Sequence, residues 1–297
     1  MPTSQAPHAA VRSPRGRAPE LEDALNRLIY HPLASGLARL LQPTGVSPNA
    51  VSAMGMLLVW AAAWSYVTIA WPYGALLGFA LHLSWHVVDG ADGDLARLTG
   101  RASPTGEMVD GLCDYAAHIA LYVTLATMLD DQVGPWGWAL TTAAGASHAF
   151  QTNHAESQRR NYLWWAYGVP WLKNTQAAGD EALRGRNLFA WLTDLYLKAA
   201  RWMAPGAARL DALVDAAAGD PVRLARIRRL VRHGSRRALV YEKLVGPNPR
   251  TIMLGLSMLA GSSLWYFLAE TFLLNLILAA SIVYHNAVQR RLAEAIG

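Results

Sequence analysis

The chain has 297 residues, 26 Lys and Arg against 21 Asp and Glu for a formal charge of +5, 53% apolar residues and one cysteine. A lone Cys113 excludes intramolecular disulfides and cysteine-based metal clusters. The apolar share is large enough for a sizeable buried body, and it is gathered into runs rather than spread evenly.

In chain order, residues 1–19 are rich in Pro, Ala and Arg with no adjacent apolar core, which predicts a disordered cytoplasmic tail. Residues 20–48 place Leu21, Leu25, Leu28 and Ile29 at helical spacing with Arg27 and Arg39 off the stripe, the pattern of an amphipathic helix lying on the inner membrane face. The turn "QPTGVSPNAVS" then leads into the first apolar run. Six runs follow: Val51–Trp71, Tyr73–Trp85, Tyr115–Leu129, Gly137–Phe150, Thr251–Ala269 and Phe272–Val288. Crossing about 30 Å of hydrocarbon at about 1.5 Å per residue takes roughly 20 residues. The first run and the last two reach that length, and the middle three reach it only by including polar residues at one end.

The expected fold is an all-α integral membrane protein with six transmembrane helices and an amino-terminal interfacial helix. Residues 49–157 would hold the first four spans, 158–248 a basic, partly amphipathic cytoplasmic insert, and 249–297 the last two spans and a short cytoplasmic tail. A soluble all-helical protein with short buried helices is the rival. The charge map opposes it: the three short connections that six spans would leave outside, near Pro72, Asp130 to Gly134 and Glu270, contain none of the 26 Lys and Arg. That asymmetry is positive-inside bias, and it predicts an inner-membrane protein with both termini cytoplasmic.

The charge inside this apolar frame is concentrated in "DGADGDLARLTGRASPTGEMVDGLCD", residues 89–114. Asp89 and Asp92 are three apart at the end of the second run, and Asp110 and Asp114 four apart at the start of the third, so each pair shares one helical face. The intervening "LTGRASPTG" stops one helix and starts the next, which lets antiparallel neighbours aim both pairs into one cleft. Four carboxylates in one cleft repel, and divalent cations relieve the repulsion. Oxygen ligands without a Cys or His cluster favour Mg2+ or Mn2+ over zinc. Gly90, Ala91, Gly93 and Ala96 leave room for a bulky pyrophosphate and nucleotide, and Arg97 stands one step farther to pair with phosphate. Asp94 is expected to turn away toward water or an arginine, and Glu107 to favour a helix start.

The spacing Asp89-x2-Asp92-Gly93-x2-Ala96-Arg97-x8-Gly106-x3-Asp110-x3-Asp114 resembles, at every fixed position, the signature of the CDP-alcohol phosphatidyltransferase family. The resemblance extends more loosely to roughly the first 155 residues and the last 50. It implies a membrane enzyme, usually a homodimer, that moves a substituted phosphoryl group from a CDP-linked alcohol to an acceptor hydroxyl and releases CMP. It further implies that Asp89, Asp92 and Asp110 are metal ligands and that Asp114 lies near a second ion and acts as general base. Asp92, Gly93, Ala96 and Arg97 would border the CDP part, and Gly106 would permit close packing of the second and third spans. Two ions, Mg2+ or Mn2+, would serve each site.

The acceptor is left open. His86 and His118 flank the acidic cleft at helical spacing, and His154, Arg159 and Arg160 lie on a polar face where the fourth run ends, so these five are candidates for acceptor contact. The bland accounts are buried histidines satisfied by neighbours and interfacial snorkelling. In the insert, residues 187–203 form an amphipathic segment with Leu188, Trp191, Leu192, Leu195, Ala199 and Trp202 on one face, and residues 220–246 an arginine-rich one with Asp220 as cap and Pro221 at the first helical position. This basic charge suits anionic lipid, not nucleic acid, since inner loops are expected to be basic. A membrane prenyltransferase, which also holds diphosphate through aspartates and Mg2+, and a noncatalytic cation- or lipid-binding protein are the alternatives. The first expects its acidic motifs on separated helices, and the second has no need of the Gly93, Ala96 and Arg97 combination.

Overall fold

The computed structural model describes residues 18–170 and 188–297, so most of the predicted tail and residues 171–187 of the insert lie outside the described residues. After a π-helical turn at Asn26–Tyr30, the helices are α1 (His31–Leu41), α2 (Pro48–Thr68), α3 (Tyr73–Leu98), α4 (Pro104–Val133) and α5 (Trp136–Tyr167). They continue as α6 (Leu188–Met203), α7 (Ala207–Ala216), α8 (Pro221–Gly234), α9 (Val240–Leu244), α10 (Pro247–Leu259), α11 (Leu264–Leu268) and α12 (Leu274–Ile296). The described chain divides into a first unit of residues 23–149 and 246–275 and a second of residues 18–22, 150–170, 188–245 and 276–297.

In the first unit, local chemistry sets the helix starts. The Ser47 hydroxyl accepts the Ala50 N–H ahead of α2 and the Ser103 hydroxyl accepts the Gly106 N–H ahead of α4, each with proline at the first helical position. Gly100 ends the α3 region at a φ of +67°, a left-handed conformation that suits glycine. α3 packs against α1, α2 and α10, and α2 also packs against α4. Val59, Ala63, Leu121, Leu125, Leu254 and Phe267 fill the centre. Ala34, Ala38, Val88, Ala91 and Leu95 seal α1 against α3, where a Cβ on Gly90 would stand 3.1 Å from that of Ala34.

α3 and α10 approach closely at a glycine: a Cβ on Gly255 would fall 2.2 Å from the Phe79 ring. Gly255→Val is therefore expected to overpack this contact and destabilise the protein by about 1–3 kcal/mol. A thermal melt in detergent checks this, and an unchanged midpoint would mean that Phe79 swings aside freely.

The six-span expectation is corrected. Among the described residues, three helices are long and apolar enough to cross a membrane: Pro48–Thr68, Thr105–Val133 and Leu264–Ile296. The reasons differ from run to run. α3 is 26 residues long, but its second half carries Asp89, Asp92, Asp94 and Arg97. α5 exchanges its apolar run for Gln151, Glu156, Arg159 and Arg160 within the same helix. The predicted fifth run is broken at Gly261, where φ is +91°, so that α10 has only 13 residues and the run's remainder joins the sixth in one continuous apolar stretch. Three apolar helices of this kind are consistent with a membrane protein.

The second unit has its own core, including Tyr162, Trp165, Leu210, Val214, Ile227 and Val231. The Asp220 carboxylate caps α8 by accepting the Val222 and Arg223 N–H groups at 3.0 Å each. α6 buries Leu197, Ala200 and Met203 and leaves Trp191, Leu195 and Trp202 exposed, so part of its predicted apolar face is uncovered. The side chains of Leu188 and Leu192 on that face lie outside the described residues.

Candidate metal centre

Four residues and a cap, Thr99–Ser103, turn α3 back into α4 within the first unit. Antiparallel register then follows from helical spacing: Asp89 meets Asp114, and Asp92 meets Asp110 one turn nearer the connection. Carboxylate oxygens of Asp89, Asp92 and Asp110 all lie within 4.8 Å of one another. Asp114 touches this group through Asp89 but stands outside it, beside the Trp85 indole. Asp92 is 6% exposed, and the Ser52 hydroxyl of α2 donates to its Oδ2 at 2.6 Å.

Burial, with the neighbouring charges of Asp114 and Asp110 adding to it, holds the Asp89 carboxyl well above the ordinary carboxylate range. Asp92 is pushed up to about 8, first by burial and then by Asp110 and Asp89, against the opposing effect of the Ser52 hydroxyl. Buried carboxyl groups in mutual contact need either protons or a cation, and an all-oxygen donor set of this kind fits a hard divalent ion. The tri-acidic cluster is thus suited to a divalent cation.

The sign of the resulting pH dependence is definite. A carboxyl whose folded pKa is raised stabilises the protein below its unfolded pKa and loses that contribution as pH rises through the folded one. In the presence of a chelator, the thermal midpoint should fall as pH is raised from the ordinary aspartate value of 3.8 through about 8. Millimolar Mg2+ or Mn2+ should restore most of the loss at the alkaline end, where the ligands are ionised. A midpoint indifferent to added cation at high pH would exclude a metal from this cluster.

Beside the cluster is a cavity of about 260 Å3, bordered by Asp92, Gly93, Ala96 and Arg97 on α3 and by Gly106 and Asp110 on α4. All of the residues expected to border the donor therefore line one space. The Arg97 guanidinium forms an ion pair with Asp94 at 2.5 Å, and the other Asp94 oxygen accepts from Ser35 at 2.5 Å. A Cβ on Gly93 would stand 3.5 Å from the Arg97 guanidinium. A Cβ on Gly106 would lie 3.3 Å from the Ser103 hydroxyl and 3.7 Å from Asn49, so its neighbours are the α4 cap and the start of α2.

The candidate acceptor residues are distributed between the units. His86 bonds Thr251 through Nε2 at 3.0 Å and stacks between Tyr30 and Trp85. His118 Nδ1 lies 2.8 Å from the Asp114 carbonyl, which can only accept, so Nδ1 carries the proton. His154, Arg159 and Arg160 belong to the second unit. There His154 bonds Ser281 at 3.0 Å, and both arginines grip Glu156 at 2.5–2.7 Å. Burial pushes His154 down to about 3, with the nearby His285 adding to the effect.

Ser52 was not singled out as a contact to the acidic group, nor Ser47 or Arg101 as borders of the cavity. Helical spacing places Ser52 one turn beyond the α2 cap, but nothing local tells which neighbour it meets.

Residues 45–160 match the family model described as CDP-alcohol phosphatidyltransferase. No curated protein and no solved structure matches the chain.

Proposed function

We propose, from the match of residues 45–160 to the CDP-alcohol phosphatidyltransferase family model, that the protein transfers a substituted phosphoryl group from a CDP-linked alcohol to an acceptor hydroxyl, releasing CMP, in phospholipid or related phosphodiester synthesis. The observation that carries this reading is the clustering of Asp89, Asp92 and Asp110 within 4.8 Å beside a cavity that Gly93, Ala96 and Arg97 also line.

Asp89, Asp92 and Asp110 would hold Mg2+ or Mn2+, with Asp114 near a second ion. Bound divalent cations would supply positive charge to the donor diphosphate and to the CMP that leaves. Ser52 fixes the Asp92 carboxylate through its 2.6 Å bond. Arg97 presents its guanidinium to the donor phosphates while Asp94 anchors it from behind. Asp114 takes the proton from the acceptor hydroxyl as its oxygen bonds to phosphorus and the phosphoanhydride bond to CMP breaks. Trp85 and the contact with Asp89 keep that carboxylate in place. We read the displacement as direct, with the acceptor hydroxyl itself attacking phosphorus, and a trapped phosphoryl-enzyme, on Ser52 for example, would overturn that step.

Two further parts of the proposal concern setting. Arg97 and Arg101 border the cavity, and by positive-inside bias they support a site on the cytoplasmic side. A homodimer is the second part, with the exposed Leu112, Tyr115, Ile119 and Val123 face of α4, which lipid would cover in a monomer, as its proposed seam.

The test is to incubate the purified full chain with Mg2+ or Mn2+ and a panel of CDP-linked alcohols and hydroxyl acceptors, and to follow CMP and the new phosphodiester together. Metal-dependent, stoichiometric appearance of both is expected. A folded, cation-binding protein that releases no CMP from any donor would defeat the reading.

A further inference from the structure

The second unit contains an open cavity of about 420 Å3 along the first half of α8. That volume is within the range of about 300–1,000 Å3 typical of small-ligand sites. Arg223 and Arg226 stand at its edge, three apart on one face of the helix, and both are exposed. Ile227, Leu230 and Ile296 form its floor, and Val222, 81% exposed, forms its lip.

Charge is not balanced locally. Among the described residues neither Arg223 nor Arg226 has an ion pair. Asp220, the acid bordering the cavity, accepts the Val222 and Arg223 backbone N–H groups through Oδ1, so one carboxylate stands against two guanidinium groups. Another arginine of the same helix is differently placed: Arg232 lies over the Tyr167 ring at 5.7 Å. The cavity thus combines a net positive charge, two guanidinium groups without an ion pair against one carboxylate, with an aliphatic floor and an exposed aliphatic lip.

A free anion would use the guanidinium groups and leave the floor wet, whereas a neutral apolar ligand would leave two cations unused. An anionic amphiphile uses both. We infer that this groove binds an anionic phospholipid, with the phosphate diester between Arg223 and Arg226 and the first part of an acyl chain along Ile227, Leu230 and Ile296. Arginine suits the first task because its planar fork matches two phosphate oxygens at once. The site lies wholly in the second unit and does not rest on the reading of the acidic cluster.

The experiment uses the full chain in a neutral detergent, titrated with dioctanoyl phosphatidylglycerol and read by native mass spectrometry, with dioctanoyl phosphatidylcholine and inorganic phosphate in parallel. Phosphatidylglycerol should be retained in preference to phosphatidylcholine, and a large excess of inorganic phosphate should not displace it. R223Q/R226Q should weaken retention by about tenfold or more, the scale of losing charge-assisted hydrogen bonds. V222E should weaken it too, by placing a like charge at the lip of a side chain that packs on nothing. R236Q/R237Q removes equal charge from exposed positions outside the cavity and should leave retention unchanged. Equal retention of the two lipids, an equal loss in the R236Q/R237Q control, or undiminished retention in R223Q/R226Q would overturn the assignment. Displacement by inorganic phosphate would overturn the lipid in favour of a free-anion site.

Discussion

Asp114→Asn should leave a folded protein that still binds divalent cation but releases CMP about 10²- to 10⁴-fold more slowly, the usual contribution of a positioned general base. Asparagine keeps the shape of the side chain beside the Trp85 indole but cannot take a proton. Asp114 stands outside the group of three carboxylates whose oxygens lie within 4.8 Å, so the cation should be held by the remainder. Asp110→Asn belongs to that group and should lose cation affinity together with turnover. The pair of variants separates two roles for neighbouring acids: cation titration monitored by thermal shift, set beside CMP release, should move together for Asp110→Asn and apart for Asp114→Asn. Near-normal turnover in a folded Asp114→Asn enzyme would remove the base assignment and leave the ligand assignment standing.

Breaking the Arg250–Glu270 pair should produce the largest loss of stability. Arg250 of α10 reaches both Glu270 oxygens through Nε at 3.1 and 3.3 Å, and the two side chains are 7% and 0% exposed. Glu270 lies in the apolar stretch Leu264–Ile296, where neither water nor lipid can replace a lost partner. Arg250→Met or Glu270→Leu alone leaves the opposite charge buried, at a cost of about 3–5 kcal/mol. The double variant removes both charges and should recover much of that loss. Recovery will be incomplete, because Glu270 also meets His148 at 3.2 Å, and His148 is tied through Tyr122 to Tyr266. Thermal unfolding of the four proteins in one detergent supplies the cycle. Single variants as stable as the parent, or a double variant worse than both singles combined, would show that the pair is not a coupled unit.

The acidic signature could be read without coordinates because helical periodicity is a local property. Asp89 with Asp92, and Asp110 with Asp114, share faces by spacing alone, and the turn between them brings α3 back beside α4. The α8 cap at Asp220 and Pro221 was legible for the same reason. Span number was not, since an apolar run of a dozen residues has the same composition whether lipid or protein covers it. Gly261 divides the predicted fifth run between α10 and the long stretch that ends at Ile296, and no hydropathy average marks that break.

The sequence by itself thus determined the chemistry of the first unit: which acids exist, at what helical spacing, and that their mutual repulsion calls for cations. Only the tertiary structure decided who meets whom. It sets Asp89 against Asp114 and Asp92 against Asp110, brings Ser52 across from α2, engages His86 with Thr251 and joins Arg250 to Glu270. Side-chain direction along one helix follows from 3.6 residues per turn, but a partner on another helix depends on the packing of distant segments, 165 positions apart for His86 and Thr251. That packing is fixed by the fit of small residues such as Gly90 on Ala34 and Gly255 on Phe79, which no local pattern records.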